Sequence, residues 1–204
     1  MLSVVNLANR DRHAELLRSM HSDRKRIFVD WLGWELRHDG TFEADEFDDE
    51  AAEYLILQSS DDEHLGSVRL LRTDRPHLLG DVFPELCAEP VPTGPDVREI
   101  TRLCLSPRCP SGERRPVMRA LMSALVEYGL LRGIGTYTAI TDTGLLSRII
   151  AVGWRCRPLG LPQPMGRGEV CALRIDIDGS TIAHLRETGR YVELTMRLPA
   201  EAVA

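Results

Sequence analysis

Hydrophobic residues recur at steps of three to four between residues 11 and 37, at Leu16, Leu17, Met20, Phe28, Trp31 and Leu32. That spacing predicts a helix with one apolar stripe, broken near Ser22. Residues 38–50 are polar and acidic and read as a loop. The period then changes. "EYLILQ" (53–58) and "LGSVRLLR" (65–72) read as strands, and the turn-like "SSDDEH" between them predicts a hairpin. Gly66 within the second strand marks a bulge or a close backbone approach. Residues 73–96 are rich in proline and glycine and read as a long excursion, a feature that is usually functional in a compact domain.

"VREITRLCLS" (97–106) reads as a third strand, after which "PRCPSGERRP" interrupts the pattern. Val117, Met118, Leu121, Met122, Leu125 and Tyr128 predict a helix ending near Gly129 or Gly133. "IGTYTAIT" (134–141) is a strand. Asp142 or Thr143 caps a helix over "GLLSRIIAV" that stops at Gly153. "EVCALRIDID" (169–178) is a further strand, followed by a short helix from Ser180 and a loose tail. Early strands joined by loops and later ones joined by helices predict an α/β fold: a three-layer mixed sheet flanked by helices.

Composition narrows the class. A chain of 204 residues, 43% of them hydrophobic, suits one domain spanning 1–204 with a sizeable core. The formal charge of −6 argues against nucleic acid as a partner. No apolar run is long enough to span a bilayer and the first residues lack a signal-peptide core, so no stable membrane insertion is expected. Five cysteines, an odd number with no CxxC pair, fit neither a disulfide frame nor a zinc site. They read as reduced thiols in a cytoplasmic protein.

Several residues can carry chemistry. Glu99 and Arg102 interrupt an otherwise apolar strand, and Arg69 does the same in "GSVRLL". Buried charges are costly unless paired, so these are either a structural ion-pair set or part of a cleft. A spacing of three places Glu99 and Arg102 on opposite faces of a regular strand. Only a bulge or the strand end brings both to one cleft. Asp45 and Asp48 flank Phe47 in an acidic run that lacks the glycine and twelfth-position glutamate of a calcium loop, so no metal is expected. The run is either a solvated turn or a set of acceptors for a cationic ligand. Arg108, Arg114, Arg115 and Arg119 surround a predicted helix start, which suits an anion such as a carrier's phosphate, or only a charged surface loop. There is no GxGxxG and no P-loop, and no Ser/His/Asp or Cys/His set stands out.

Taken together, these positions resemble the acyl-homoserine-lactone synthases, the LuxI-type autoinducer synthases. Arg24, Phe28 and Trp34 match the pattern R-x3-F-x5-W, and Asp45 and Asp48 match the acidic pair. "GSVRLLRT" resembles the strand with an essential arginine, here Arg69, and "REITRLCL" resembles the E-x2-R strand of Glu99 and Arg102. "LMSALVEYGLLRGI", "SRIIAVGW" and "PLG" extend the likeness, which runs from about residue 5 to about residue 180.

The resemblance implies a fold similar to the GNAT acyltransferases, with residues 1–50 as an N-terminal lid and a tail after about 180. It implies transfer of an acyl chain from acyl carrier protein or acyl-CoA to the amine of S-adenosylmethionine. The products would be an N-acyl-homoserine lactone, a quorum-sensing signal, and 5′-methylthioadenosine. No cofactor is then expected, since S-adenosylmethionine is a substrate. Glu99 becomes the candidate base, with Arg69 and Arg102 beside it as catalytic residues. Arg24, Phe28, Trp34, Asp45 and Asp48 become candidate substrate-binding residues. Leu103, Met122, Leu125, Tyr137, Thr138, Thr141 and Trp154 are acyl-pocket candidates, with Thr138 or Thr141 placed to read a 3-oxo group; the alternative for all of them is ordinary core packing. Arg108, Arg114, Arg115 and Arg119 form the candidate carrier patch. Two other readings remain: a general GNAT-type N-acyltransferase using acyl-CoA and another amine, and a non-catalytic ligand sensor. The missing Q/R-x-x-G-x-G/A phosphate loop counts against the first, and release of methylthioadenosine discriminates.

Overall fold

The computed structural model describes residues 1–166 and 168–199. They form strands β1 (Leu2–Val5), β2 (Glu53–Gln58), β3 (His64–Arg72), β4 (Val97–Leu105), β5 (Thr136–Asp142), β6 (Arg155–Pro158), β7 (Gln163–Met165), β8 (Gly168–Asp176) and β9 (Met196–Arg197). The helices are α1 (Ala14–Arg24), α2 (Arg114–Leu131), α3 (Thr143–Ile150) and α4 (Gly179–Glu187). The chain divides into two compact units. The first holds Met1–Leu70, Arg102–Ala124 and the described residues from Val192; the second holds Leu71–Thr101 and the described residues of Leu125–Tyr191. Each is sheet with helices, as the mixed α/β reading expects.

In the first unit the strand order is β9-β1-β2-β3. The predicted hairpin is present as the antiparallel β2–β3 pair. β1 pairs antiparallel with β2 and parallel with β9. All four residues of β1 are buried, so this stretch is a sheet strand rather than part of a lid. The bulge expected at Gly66 is present, and the close approach there comes from side chains rather than backbone. Leu57 faces Gly66 while Gln58 faces His64, so Leu65 is the extra residue of a bulge. A Cβ on Gly66 would lie 2.8 Å from Leu105 Cδ2 and 2.9 Å from Val117 Cγ1, closer than atoms pack.

α1 buries Leu16, Met20, Asp23 and Arg24. It then widens into a π-helical turn over Lys25–Trp31, where Leu32 N–H reaches back five residues to Ile27 C=O at 2.9 Å. The helix runs unbroken through Ser22, where a break was expected, and changes pitch only from Lys25, a feature frequent at functional sites. It packs Ile27 and Phe28 against Cys104 and Leu36.

In the second unit the order is β4-β5-β8-β6, with β7 also on β8. β5 runs parallel to β4, with Glu99 opposite Thr138, and α2 supplies the crossover that parallel neighbours require. Residues 73–96 are not structureless. They contain a π-helical turn at Leu78–Val82 and a 3₁₀ turn at Pro84–Leu86, whose Leu79 and Leu86 pack on Ala172 with Ile140, Leu159 and Val170. Asp142 caps α3 by accepting the Gly144 N–H at 2.7 Å. Asp178 caps α4 in a reciprocal box with Thr181. Part of the expected loose tail, residues 200–204, lies outside the described residues. No described helix is long and apolar enough to cross a membrane.

Candidate active site

The first unit gathers three arginines and three carboxylates. Arg24, at the end of α1, is fully buried. Its Nε donates to Glu43 at 2.5 Å, and its two terminal nitrogens donate to the two Asp48 oxygens at 2.8 Å each. Arg69, on β3 and 1% exposed, forks onto Asp45 at 2.5 and 3.0 Å and reaches Asp48 at 2.9 Å. Arg102, on β4, bridges Glu43 at 3.1 Å and Asp45 at 2.6 Å. Paired, fork-shaped contacts of this kind are the strong form of charged hydrogen bond. The three positive and three negative charges close a neutral cluster.

Arg102 has φ of 50°, a left-handed conformation uncommon for a non-glycine residue. The alternation of β4 is therefore interrupted at the residue where the Glu99–Arg102 spacing demanded it. Such a conformation costs about 1–3 kcal/mol and persists only where surrounding contacts impose it. Here Glu43 and Asp45 impose it.

Asp45 and Asp48 differ from the sequence expectation. Asp48 accepts from Arg24 twice, from the Tyr54 hydroxyl at 2.8 Å and from the Asp45 N–H at 2.9 Å, and it forms an ion pair with Arg69 at 2.9 Å. A carboxylate has about four lone-pair sites, so Asp48 is saturated. It anchors arginines rather than waiting for a cationic ligand. Asp45 accepts two bonds from Arg69, one from Arg102 and one from the Phe47 N–H. Burial would raise the Asp48 pKa, but the hydrogen bonds and charge of Arg24, with the charge of Arg69, hold it far below the usual carboxylate range. For the Tyr54 hydroxyl, burial and the Asp48 charge act together and push the pKa well up.

Glu43 and Tyr54 belong to the cluster and were not singled out in the sequence. Glu43 sits in the same acidic run, two residues before Asp45, and the run alone was the available signal. Oxygens of Glu43, Asp45 and Asp48 lie within 4.8 Å of one another, a cation-site spacing, but arginine donors already provide the countercharge.

Aromatic side chains wall the cluster. Phe28 and Trp34 stack at 4.9 Å with their planes 19° apart. The Arg102 guanidinium lies 5.7 Å from the Phe28 ring, and that of Arg69 lies 5.9 Å from Phe47. Phe28 is buried, whereas Trp34 is 47% exposed and offers its outer face.

In the second unit Glu99 is fully buried, and the Leu79 N–H lies 3.1 Å from both of its oxygens. Its strand partner Thr138 is also buried, and among the described residues the Thr138 hydroxyl has no hydrogen-bond partner. Tyr137 donates to the Leu125 C=O at 2.8 Å, and both side chains are core. Thr141 is half-buried and bonds locally to the Asp142 C=O. Trp154 donates to the Ile149 C=O and lines an open groove of about 470 Å³ with Arg155, Ser180, Thr181 and His184. In the first unit Met122 is buried and Leu103 half-buried.

The arginine patch is partly committed elsewhere. Arg108 donates to Asp23 at 3.0 Å and to Ser19 at 2.8 Å, and Arg114 donates to the Ser106 C=O at 3.3 Å. Arg115 and Arg119 are exposed. A Ser/His/Asp set is also present, contrary to the sequence reading: His64 links Asp23 at 2.9 Å and Ser67 at 3.0 Å. Only the bulge at Leu65 reveals it. Nearby Cys104 is fully buried, and burial pushes its thiol up to about 12, so it is no nucleophile at neutral pH.

A family model described as autoinducer synthase matches residues 8–185. An acyl-homoserine-lactone synthase of Ralstonia nicotianae is 34% identical over 83% of this chain and 86% of its own length. An isovaleryl-homoserine lactone synthase of Bradyrhizobium diazoefficiens is 31% identical over 92% of this chain and 84% of its own. Among solved structures, the CoA-dependent synthase BjaI with SAM and isopentyl-CoA superposes with a TM-score of 0.88 at 28% identity, covering 100% of this chain and 95% of that one. An N-acetyltransferase of Lactobacillus plantarum, at 16% identity, 87% of this chain, 99% of that one and a TM-score of 0.58, shares the fold alone.

Proposed function

The chain belongs to the autoinducer synthase family, and from that premise we propose how its residues divide the family reaction. The protein makes an N-acyl-homoserine lactone, a quorum-sensing signal, from S-adenosylmethionine and an acyl thioester, releasing 5′-methylthioadenosine. One observation carries the assignment of the site. Arg24, Phe28, Trp34, Asp45, Asp48, Arg69 and Arg102, spread over 79 positions of sequence, meet in one connected cluster in the first unit.

The chemistry has two steps. The substrate amine attacks the thioester carbonyl and expels the thiol, forming an amide. The methionyl carboxylate then attacks the carbon beside the sulfonium, closing the lactone and expelling methylthioadenosine. The second step is intramolecular, so the protein chiefly folds the substrate into position. Glu99 is the base that accepts the ammonium proton, directly or through water, its carboxylate oriented by the Leu79 N–H. Asp45, with 10% of its side chain exposed, is the edge of the cluster that faces substrate, and Asp48 stays behind as the anchor. The outer face of Trp34 takes the sulfonium by cation–π attraction. No enzyme nucleophile and no cofactor enter these steps.

Thr138, beside Glu99, is the acyl-pocket residue with an idle hydroxyl. Arg114, Arg115 and Arg119 meet the acyl donor, a carrier protein or a CoA thioester, while Arg108 belongs to the structural network. Residues 1–204 act as one synthase domain, and the region after β1 up to about residue 50 serves as the lid. The reaction runs in the cytoplasm, in keeping with five free cysteines. The test is direct. Incubation with S-adenosylmethionine and panels of acyl carriers and acyl-CoAs, read by mass spectrometry, should yield a lactone and methylthioadenosine in equal amounts. Acylation of another amine without methylthioadenosine would overturn the reading.

A further inference from the structure

We infer that Asp23, His64 and Ser67 form a positioning relay that sets Arg24 and Arg69 for S-adenosylmethionine, an inference that rests on the cluster being the S-adenosylmethionine site. The connections are short. Asp23 directly precedes Arg24 on α1. Ser67 lies two residues before Arg69 on β3, and residues two apart on a strand share a face. His64 ties the two elements, with Nδ1 2.9 Å from Asp23 Oδ2 and Nε2 3.0 Å from Ser67 Oγ. In a regular strand His64 and Ser67, three apart, would face opposite ways, and the extra residue Leu65 turns His64 onto the Ser67 face.

The set has the membership of a hydrolytic triad but not its setting. Asp23 is 0% exposed and His64 and Ser67 are each 1% exposed. The further neighbour of the Ser67 hydroxyl is Cys104 Sγ at 3.8 Å. A nucleophile must reach its substrate, and this serine is sealed. Its hydrogen bonds serve registration instead. Arg24 and Arg69 share one oxygen of Asp48, at 2.8 and 2.9 Å. That sharing ties the helix to the strand, because a hydrogen bond such as that from Arg24 weakens steeply with distance and angle. The relay sits one residue from one arginine and two from the other. Asp23 also accepts from Arg108, which brings the chain after β4 into the same lock.

The experiment compares two substitutions at one position. His64→Leu removes both hydrogen bonds. His64→Gln keeps a donor for Asp23 and an acceptor for Ser67. In His64→Leu, KM for S-adenosylmethionine should rise about tenfold, equivalent to about 1.4 kcal/mol. Its kcat should stay within about twofold, the pattern of lost uniform binding. KM for the acyl donor should not move, and His64→Gln should recover most of the loss. A residue serving stability alone would lower Tm and the active fraction without changing KM. Asp48→Asn is the control for the site itself. If Asp48→Asn leaves KM for S-adenosylmethionine unchanged, the reading of the cluster fails. If Asp48→Asn raises it and His64→Leu does not, or if His64→Gln is as impaired as His64→Leu, the relay fails alone. Should His64→Leu not fold, Ser67→Ala keeps the Asp23–His64 bond and should raise the same KM by about two- to threefold. An unchanged KM there overturns the relay.

Discussion

The two units each bury carboxylates, and they hold them by different means. The first surrounds Glu43, Asp45 and Asp48 with the guanidinium groups of Arg24, Arg69 and Arg102. The second presents a main-chain N–H, that of Leu79, to both oxygens of Glu99. The contrast separates framework from reactant. A carboxylate locked by arginines, as Asp48 is, lies so far below neutral pH that it cannot take a proton usefully. Glu99, the base we propose, is instead oriented by a backbone donor.

The strongest way to break this comparison is Glu99→Gln. General base catalysis contributes about 10²- to 10⁴-fold, so kcat should fall by about that factor with Tm nearly unchanged. Near-normal turnover would remove Glu99 as the base. The mirror experiment is Asp48→Ala, which leaves Arg24 buried without its forked partner. Breaking one side of a buried pair costs about 3–5 kcal/mol, read as a large drop in the denaturant midpoint. The pH dependence has a defined sign. The folded pKa of Asp48 is depressed, so its contribution is complete above the unfolded value of 3.8 and is lost as pH falls further. Wild type and Asp48→Ala should thus differ at pH 7 and converge in acid. A constant gap down to low pH would show that ionisation of Asp48 is not what stabilises the unit.

The same contrast explains what the sequence disclosed. Period and turn chemistry gave the hairpin β2–β3, the strands β4, β5 and β8, and helices α2, α3 and α4. β1, β6, β7 and β9 were missed because strands of two to four residues carry too few alternations to register. Arg24, Phe28, Trp34, Asp45, Asp48, Arg69, Glu99 and Arg102 were legible through the resemblance to the acyl-homoserine-lactone synthases. Their partners were not, because Glu43 meets Arg102 across 59 residues and His64 meets Asp23 across 41. The bulge at Leu65, which aims His64, leaves only Gly66 as a trace. Asp48 was over-read as waiting for a cation, since composition cannot show that Arg24 and Tyr54 already occupy its acceptor sites. Arg108 was over-read in the same way, because its contact with Asp23 lies 85 positions away.

A smaller effect tests the surface of the first unit against its interior. The double change Arg114→Glu and Arg115→Glu should raise KM for an acidic acyl donor about tenfold at low salt and shrink toward wild type as salt screens the charges. KM for S-adenosylmethionine should not change, because neither side chain touches the cluster. Equal effects on both substrates would mean that the change had disturbed the fold around Ser106, whose C=O accepts from Arg114.

The smallest expected effect concerns Thr138, opposite Glu99 in the second unit. Its hydroxyl is buried without a partner among the described residues, and an unmade buried hydrogen bond costs about 1–3 kcal/mol. Thr138→Val keeps the branched shape and deletes that cost, so the variant should be about 1 kcal/mol more stable, a gain of about 2–4 °C in Tm for a chain of this length. Folding alone gives no reason to keep a hydroxyl there. An acyl chain with an oxygen at its third carbon would supply the missing partner. Such a donor should lose affinity in Thr138→Val, while an unsubstituted chain of equal length should not. If Tm falls instead, the hydroxyl already has a partner within the protein and is no longer idle. If Tm rises and both donors bind as before, the idle hydroxyl is a cost the fold carries without using it to read the acyl chain.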